Sequence, residues 1–179
     1  VGYNFNDKLS IEYNHMLRET NYSQYHANDG RFKQWRESTV EQDLIQLNYI
    51  DETFKGHMWY NQHELNYWGT GYAEKNRKAS AIGVDVQKDL KINDNTLLTV
   101  GADFRNEKFH NRGSEAGKLD RNQIGMFGQL DHKITDKDTV IIGARGTWTT
   151  NVSNNGQTHD NLSTSAQYLH KFDDNRSFY

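Results

Sequence analysis

The chain of 179 residues contains no cysteine and no proline. Without cysteine there is no disulfide framework and no thiolate metal site, which fits a cytosolic or an exported protein alike. Without proline, punctuation between regular elements falls to glycine, asparagine and aspartate. Long hydrophobic runs are missing too. No stretch approaches the roughly 18 apolar residues of a membrane-spanning helix, so a helical membrane protein is excluded. The opening residues, Val1 to Asn6, have neither the basic nor the apolar region of a signal peptide. Charge of one sign is also lacking: the net charge is -3 with no basic block, and a nucleic-acid partner is not expected. Only 34% of the residues are apolar and the mean hydropathy is -1.00, sparse for a packed globular interior.

Against this background, 12% aromatic content and regularly placed Val, Ile and Leu argue for order. Five short polar clusters punctuate the chain: Asn6-Asp7-Lys8, Asp51-Glu52-Thr53, Asn93-Asp94-Asn95, Thr135-Asp136-Lys137-Asp138 and Asp173-Asp174-Asn175. They recur about every 40 to 45 residues, a period that marks a repeated structural unit. Between them lie longer polar stretches at 26–36, 69–77, 111–120 and 153–160, read as long loops. The segments flanking the turns alternate with period two. Leu98, Val100, Ala102 and Phe104 oppose Thr99, Asp103 and Arg105. Ile124, Met126, Gly128 and Leu130 oppose Gln123, Gln129 and Asp131. Val140, Ile142, Ala144 and Trp148 oppose Arg145, Thr147 and Thr149, and Leu9, Ile11, Tyr13 and Leu17 oppose Ser10, Glu12, Asn14 and Arg18. The faces of the segment from His57 to Trp68 are not assignable from the pattern.

The pattern predicts an all-β chain of about eight complete strands with a fragment at each end. Most run to about 12 residues or more, beyond the usual globular length of about 5–6. A β-propeller blade needs four short strands per repeat, and here each repeat holds two long ones. A soluble sandwich would not readily produce alternating tight turns and long loops. An antiparallel up-and-down transmembrane barrel explains each feature. One face of each strand meets lipid, the other the lumen, and a tilted strand of about 9–11 residues suffices to cross. Low hydropathy is expected in such a chain, because only half of each strand is apolar.

The residues also resemble a known family. "NQIGMFGQLDHKITDKDTVIIGARGTW" (Asn122 to Trp148) resembles the middle-barrel strands of TonB-dependent outer-membrane receptors. "NDNTLLTVGADFRNEKF" resembles the preceding hairpin of that family and "SAQYLHKFDDNRSFY" the following one. The resemblance covers nearly the whole chain, best from about Lys78 onward. It implies that residues 1–179 are a segment of a larger outer-membrane barrel of roughly 22 strands, with the plug domain and the C-terminal strands absent. It further implies a bacterial outer-membrane location and no enzymatic activity. The implied role is uptake of a ferric siderophore or a similar scarce ligand, with haem or cobalamin as alternatives within the family. The implied partners are the receptor's own plug, the TonB complex through an N-terminal part, and outer-membrane lipid or lipopolysaccharide. A passive porin, an adhesin or an omptin-like protease remains the alternative outside it.

Candidate ligand-binding residues lie in the predicted loops. Arg31, Phe32, Trp35 and Arg36, with Tyr72 and Arg112 on neighbouring loops, combine cations and aromatic rings suited to an anionic aromatic ligand. Lys33, Arg77 and Arg121 belong to the same loops. The competing reading of each is a solvated loop with an interfacial aromatic anchor. His57 and His63 share a face but stand roughly 20 Å apart along a strand, too far to hold one metal ion. His26, His110 and His159 are the haem candidates. Asp131 and His132 are adjacent, so they point to opposite faces and do not form an acid–base pair. No metal site and no cofactor are expected. Asp103, Arg105 and Arg145 are expected to line the lumen.

Overall fold

Period-two alternation over long segments builds, among the described residues of a computed structural model, one antiparallel sheet of ten strands whose spatial order follows the chain. The strands are β1 (Gly2–Asn4), β2 (Leu9–Tyr25), β3 (Phe32–Ile50), β4 (Phe54–Gly69), β5 (Tyr72–Asn93), β6 (Thr96–Arg112), β7 (Gly117–Lys133), β8 (Asp138–Asn151), β9 (Gln157–Asp173) and β10 (Arg176–Phe178). The structure describes the backbone of residues 1–25, 32–69, 72–112, 117–151, 157–173 and 176–178. Side chains are described outside 22–36, 70–75, 112–116, 152–156 and 173–179. No helix occurs among the described residues.

The register assigns every face, including that of β4. One hydrogen-bonded row runs Leu9, Tyr49, Gly56, Val86, Ala102, Met126, Gly146 and Leu162 from β2 to β9. Residues directly paired across antiparallel strands share a face, so this row and its alternate neighbours define an outer face. It carries Ile11, Leu47, Met58, Val84, Phe104, Ile124 and Ile142. Ser10, Gln46, His57, Asp85, Asp103, Gln123 and Arg145 lie on the inner face. The apolar band crosses the rows diagonally. On β2 the Leu9 row is the turn-side end of the band, whereas on β9 the same row, at Leu162, is its far end and the band continues to Tyr168. That displacement is about six residues, roughly 20 Å, across seven strand steps of about 4.8 Å, a slope of about 30°. Strands of closed membrane barrels tilt by a similar amount, about 35–45°.

The sheet is a wall without a core. No hydrophobic residue among those described is buried, and Met126, Ile142 and Leu162 are 56%, 54% and 74% exposed on the outer face. Left in water, this band would be a contiguous apolar patch of a kind monomeric soluble proteins rarely show. Tyrosines mark its edges and turn their hydroxyls away from it. At the turn side Tyr49 donates to Asp51 (3.3 Å) and Tyr168 donates to Asp138. At the far side Tyr13 donates to Asp43 (2.6 Å) and Tyr60 to Gln62 (2.9 Å). Rings with an apolar body and a polar tip suit a hydrocarbon boundary.

Two expectations are sharpened. Within the polar stretches read as long loops at 69–77, 111–120 and 153–160, the described residues are strand: β5 begins at Tyr72, β6 runs to Arg112, β7 begins at Gly117 and β9 at Gln157. Residues 32–36 likewise belong to β3, and 26–31 lie outside the described residues. Where a strand projects beyond the apolar band, both faces meet water, so alternation vanishes although the backbone ladder continues. The turns, by contrast, follow their residue chemistry. Asn6 Oδ1 accepts from the backbone of Lys8 and Leu9 at 2.8 and 2.9 Å, and Thr135 Oγ1 accepts from that of Lys137 and Asp138.

Charge locks the same edge. Lys8 Nζ meets Asp51 at 2.8 Å, and His170 Nδ1 lies 2.7 Å from Asp138. The Lys8 bond, with the Glu52 amide behind it, lowers the Asp51 pKa; the His170, Thr135 and Tyr168 bonds lower that of Asp138. A depressed carboxylate contributes stability that is present above its unfolded value, about 3.9, and is lost as pH falls through the folded one. Protection factors of the Ile134 and Lys171 amides, bonded across this turn edge, are therefore expected to fall below about pH 4. Asp138→Asn removes most of that dependence at Ile134. A second outcome follows from the band itself. Ile142→Arg should weaken insertion into lipid vesicles by about 2–4 kcal/mol, and Thr147→Arg on the inner face by far less, read by gel-shift folding assays.

Candidate functional site

The inner face is polar because the outer face takes the aliphatic residues, and its charges are organised in cross-strand pairs. Arg145 Nη2 on β8 donates to Asp103 Oδ2 on β6 at 2.6 Å, passing over β7, while its guanidinium lies 5.9 Å from the Phe127 ring centre. The strand between them supplies Gly125, where a Cβ would collide with both the Asp103 carboxylate and the Arg145 guanidinium. Absence of a side chain at 125 is thus what lets the pair form. Two more inner-face glycines serve aromatic rings: Trp59 lies over Gly83, and Phe127 over Gly101.

Further along the same face, Glu107 bridges two cations. Arg121 Nε donates to it at 2.7 Å, Arg105 Nε lies 3.2 Å away, and Arg105 Nη2 donates to Gln123 Oε1 at 3.3 Å. His57 is held between Asp85 at 3.1 Å and Gln46 at 3.2 Å. Asp103, Arg105 and Arg145 therefore all lie on the inner, lumenal face, as expected from the alternation.

The predicted ligand residues fall at the edge opposite the turns. Arg31 and His26 lie outside the described residues. The backbones of Phe32, Trp35 and Arg36 belong to β3, Tyr72 to β5 and Arg112 to β6, so these positions are in strands and not in loops. The same holds for Lys33, Arg77 and Arg121. Gly69 pairs with Arg36 on one side and with Tyr72 on the other, which brings those two positions to one stretch of rim. Arg112 pairs with Asn76, one strand further and nearer the band. The side chains of Arg31, Phe32, Trp35, Arg36, Tyr72 and Arg112 lie outside the described residues.

His57 and His63 share the inner face of β4, as their even spacing predicts. Asp131 and His132 point to opposite faces, with His132 Nδ1 2.9 Å from Thr96 Oγ1 on the outer one. One cluster had no sequence signal. On the outer face, beyond the apolar band, His15 Nδ1 is 2.9 Å from Asp43, and ligand atoms of His15, Glu41 and Asp43 all lie within 4.8 Å of one another. Register alone brings these groups together. The arrangement of Tyr13, His15 and Asp43 recurs at the turn edge as Tyr168, His170 and Asp138, one at each margin of the band.

Three solved structures share this wall. The FrpB iron transporter of Neisseria meningitidis (F3-3 variant) superposes with a TM-score of 0.70 and 15% identity, over 97% of this chain and 33% of that one. The alcaligin outer-membrane receptor FauA of Bordetella pertussis gives 0.64 and 9%, over 97% and 32%. The ferric yersiniabactin uptake receptor FyuA of Yersinia pestis gives 0.55 and 11%, over 94% and 33%. The chain spans about a third of the length of each. No protein-family model matches it, and no curated protein sequence does. The fold is therefore that of part of an outer-membrane receptor barrel: an all-β, antiparallel, up-and-down wall.

The glycine at 125 yields a measurable coupling. In the native sequence a double-mutant cycle of Asp103→Asn with Arg145→Gln should return about 0.5–1 kcal/mol, modest because both groups are partly solvated. In a Gly125→Val background the same cycle, measured by denaturant unfolding in detergent micelles, should return none.

Proposed function

We propose that residues 1–179 form part of the barrel of a TonB-dependent outer-membrane receptor that imports a ferric siderophore or a similar scarce iron ligand. The observation that carries the reading is the superposition of 97% of the chain on a third of an iron transporter and on a third of a siderophore receptor. The diagonal apolar band, its tyrosine margins and the paired charges of the inner face support it, because a lipid-embedded wall around a polar passage needs all three.

In this reading the turn edge faces the periplasm and the opposite rim faces outward. Arg31, Phe32, Trp35, Arg36, Tyr72 and Arg112 meet the incoming ligand there, with cations attracting its negative charge and rings stacking on its flat groups. Asp103, Arg105 and Arg145 face the receptor's own plug, whose displacement is driven through the TonB complex. The barrel catalyses no covalent step. Its work is selective passage.

The test uses the full-length protein as the sole iron receptor of a bacterial strain. Uptake of radioactive iron from its siderophore complex should be saturable, should stop when the proton gradient is dissipated, and should fail with the iron-free ligand. Arg31→Glu with Arg36→Glu should raise the half-saturating concentration about tenfold or more at unchanged maximal uptake. Uptake that is insensitive to the gradient would instead identify a passive channel and overturn the reading.

A further inference from the structure

Tyrosine, histidine and aspartate meet twice on the outer face, once at each margin of the apolar band. At the turn margin Tyr168, His170 and Thr135 all direct a polar atom to the Asp138 carboxylate. At the opposite margin Tyr13 donates to Asp43 Oδ1 at 2.6 Å, and His15 Nδ1 lies 2.9 Å from the same oxygen. Here a second carboxylate joins them. Glu41 is the next outer-face residue of β3, and the register sets it opposite Leu17, diagonal to His15. Diagonal neighbours stand about 7–8 Å apart at their backbones, within reach of a glutamate and an imidazole. The ligand atoms of His15, Glu41 and Asp43 accordingly lie within 4.8 Å of one another, and no other such set occurs among the described residues. At the turn margin the matching position is Asp136, which belongs to the turn and not to the ladder.

Charge leaves this grouping unbalanced. Glu41 is paired directly with Glu64 across β3 and β4, and like charges placed opposite one another are destabilising. Glu64 is compensated on its far side by Lys78 at 3.3 Å and Asn76 at 2.9 Å. Among the described residues no cation pairs with Glu41, although Asp43 stands beside it on the same face.

We infer that His15, Glu41 and Asp43 bind one divalent transition-metal ion of the zinc class at the outer margin of the wall. The donor set decides the class. One imidazole nitrogen with two carboxylate oxygens suits zinc and its first-row neighbours, whereas calcium and magnesium take oxygen ligands. Ligand atoms about 2.0–2.2 Å from a tetrahedral ion stand about 3.4 Å apart. The separations here are 2.9 Å between His15 and Asp43 and within 4.8 Å throughout, so side-chain rotation closes the site without moving a strand. The ion displaces to solvent the proton held between His15 and Asp43. It cancels the repulsion around Glu41 and ties β2 to β3 where the wall leaves hydrocarbon. The fourth coordination position is left to water.

The test titrates zinc, and separately calcium, into the metal-stripped full-length protein in detergent micelles by calorimetry, with folding verified by gel shift. One saturable zinc equivalent is expected from this site. Glu41→Gln keeps the shape of the side chain and should weaken that equivalent at least about tenfold, and His15→Ala should remove it. Calcium should bind there at least about tenfold more weakly than zinc. His170→Ala, in the matching trio at the turn margin, should leave zinc binding unchanged. Zinc binding that is absent, or identical in the native, Glu41→Gln and His15→Ala proteins, would overturn the site. Equal affinity for calcium, or an equal loss in His170→Ala, would overturn it as well. Binding is read without transport, so the site stands or falls apart from the uptake reading.

Discussion

The structure depends on one constraint: in hydrocarbon no backbone amide or carbonyl can be left unpaired, since no water is there to take its place. A single antiparallel sheet meets the constraint through inter-strand bonds alone, and each of β2 to β9 is bonded along both edges. The ladder thereby replaces the hydrophobic core as the element that specifies the fold. This is why a chain with no buried hydrophobic residue among those described still forms strands of up to 22 residues.

The remaining features follow from having two surfaces and no interior. The outer surface must be apolar over a limited height, and tyrosines at its margins aim their hydroxyls at carboxylates or amides beyond it. The inner surface is polar, and its charges are compensated by one another. Arg145 with Asp103, and Glu107 with Arg105 and Arg121, provide that compensation across strands. Glycines at 83, 101 and 125 provide the room, each beneath a ring or an ion pair too large to lie over a side chain.

Much of this was legible from residue order. The turn chemistry of Asn6 and Thr135 acts over a few residues, and alternation such as Leu98, Val100, Ala102, Phe104 reports a face directly. The lumenal placement of Asp103, Arg105 and Arg145 came from parity alone. The rim was misread as loop because strand and loop become alike in composition once both faces are wet. Phe32, Trp35, Arg36, Tyr72 and Arg112 illustrate this: the residue types suggest ligand contact, but their strand placement needed the ladder.

What the sequence determined by itself is parity, turn position and the identity of the lipid-facing half, because each is a local property of spacing and residue type. The tertiary structure decided register. Only register could set His15 against Asp43, carry Arg145 over Gly125 to Asp103, tilt the apolar band across the strands, and leave Ala79 and Ala81 between His63 and Phe109. Those contacts join residues tens of positions apart, and sliding a strand by two residues would keep its faces intact while abolishing the contacts that strand makes.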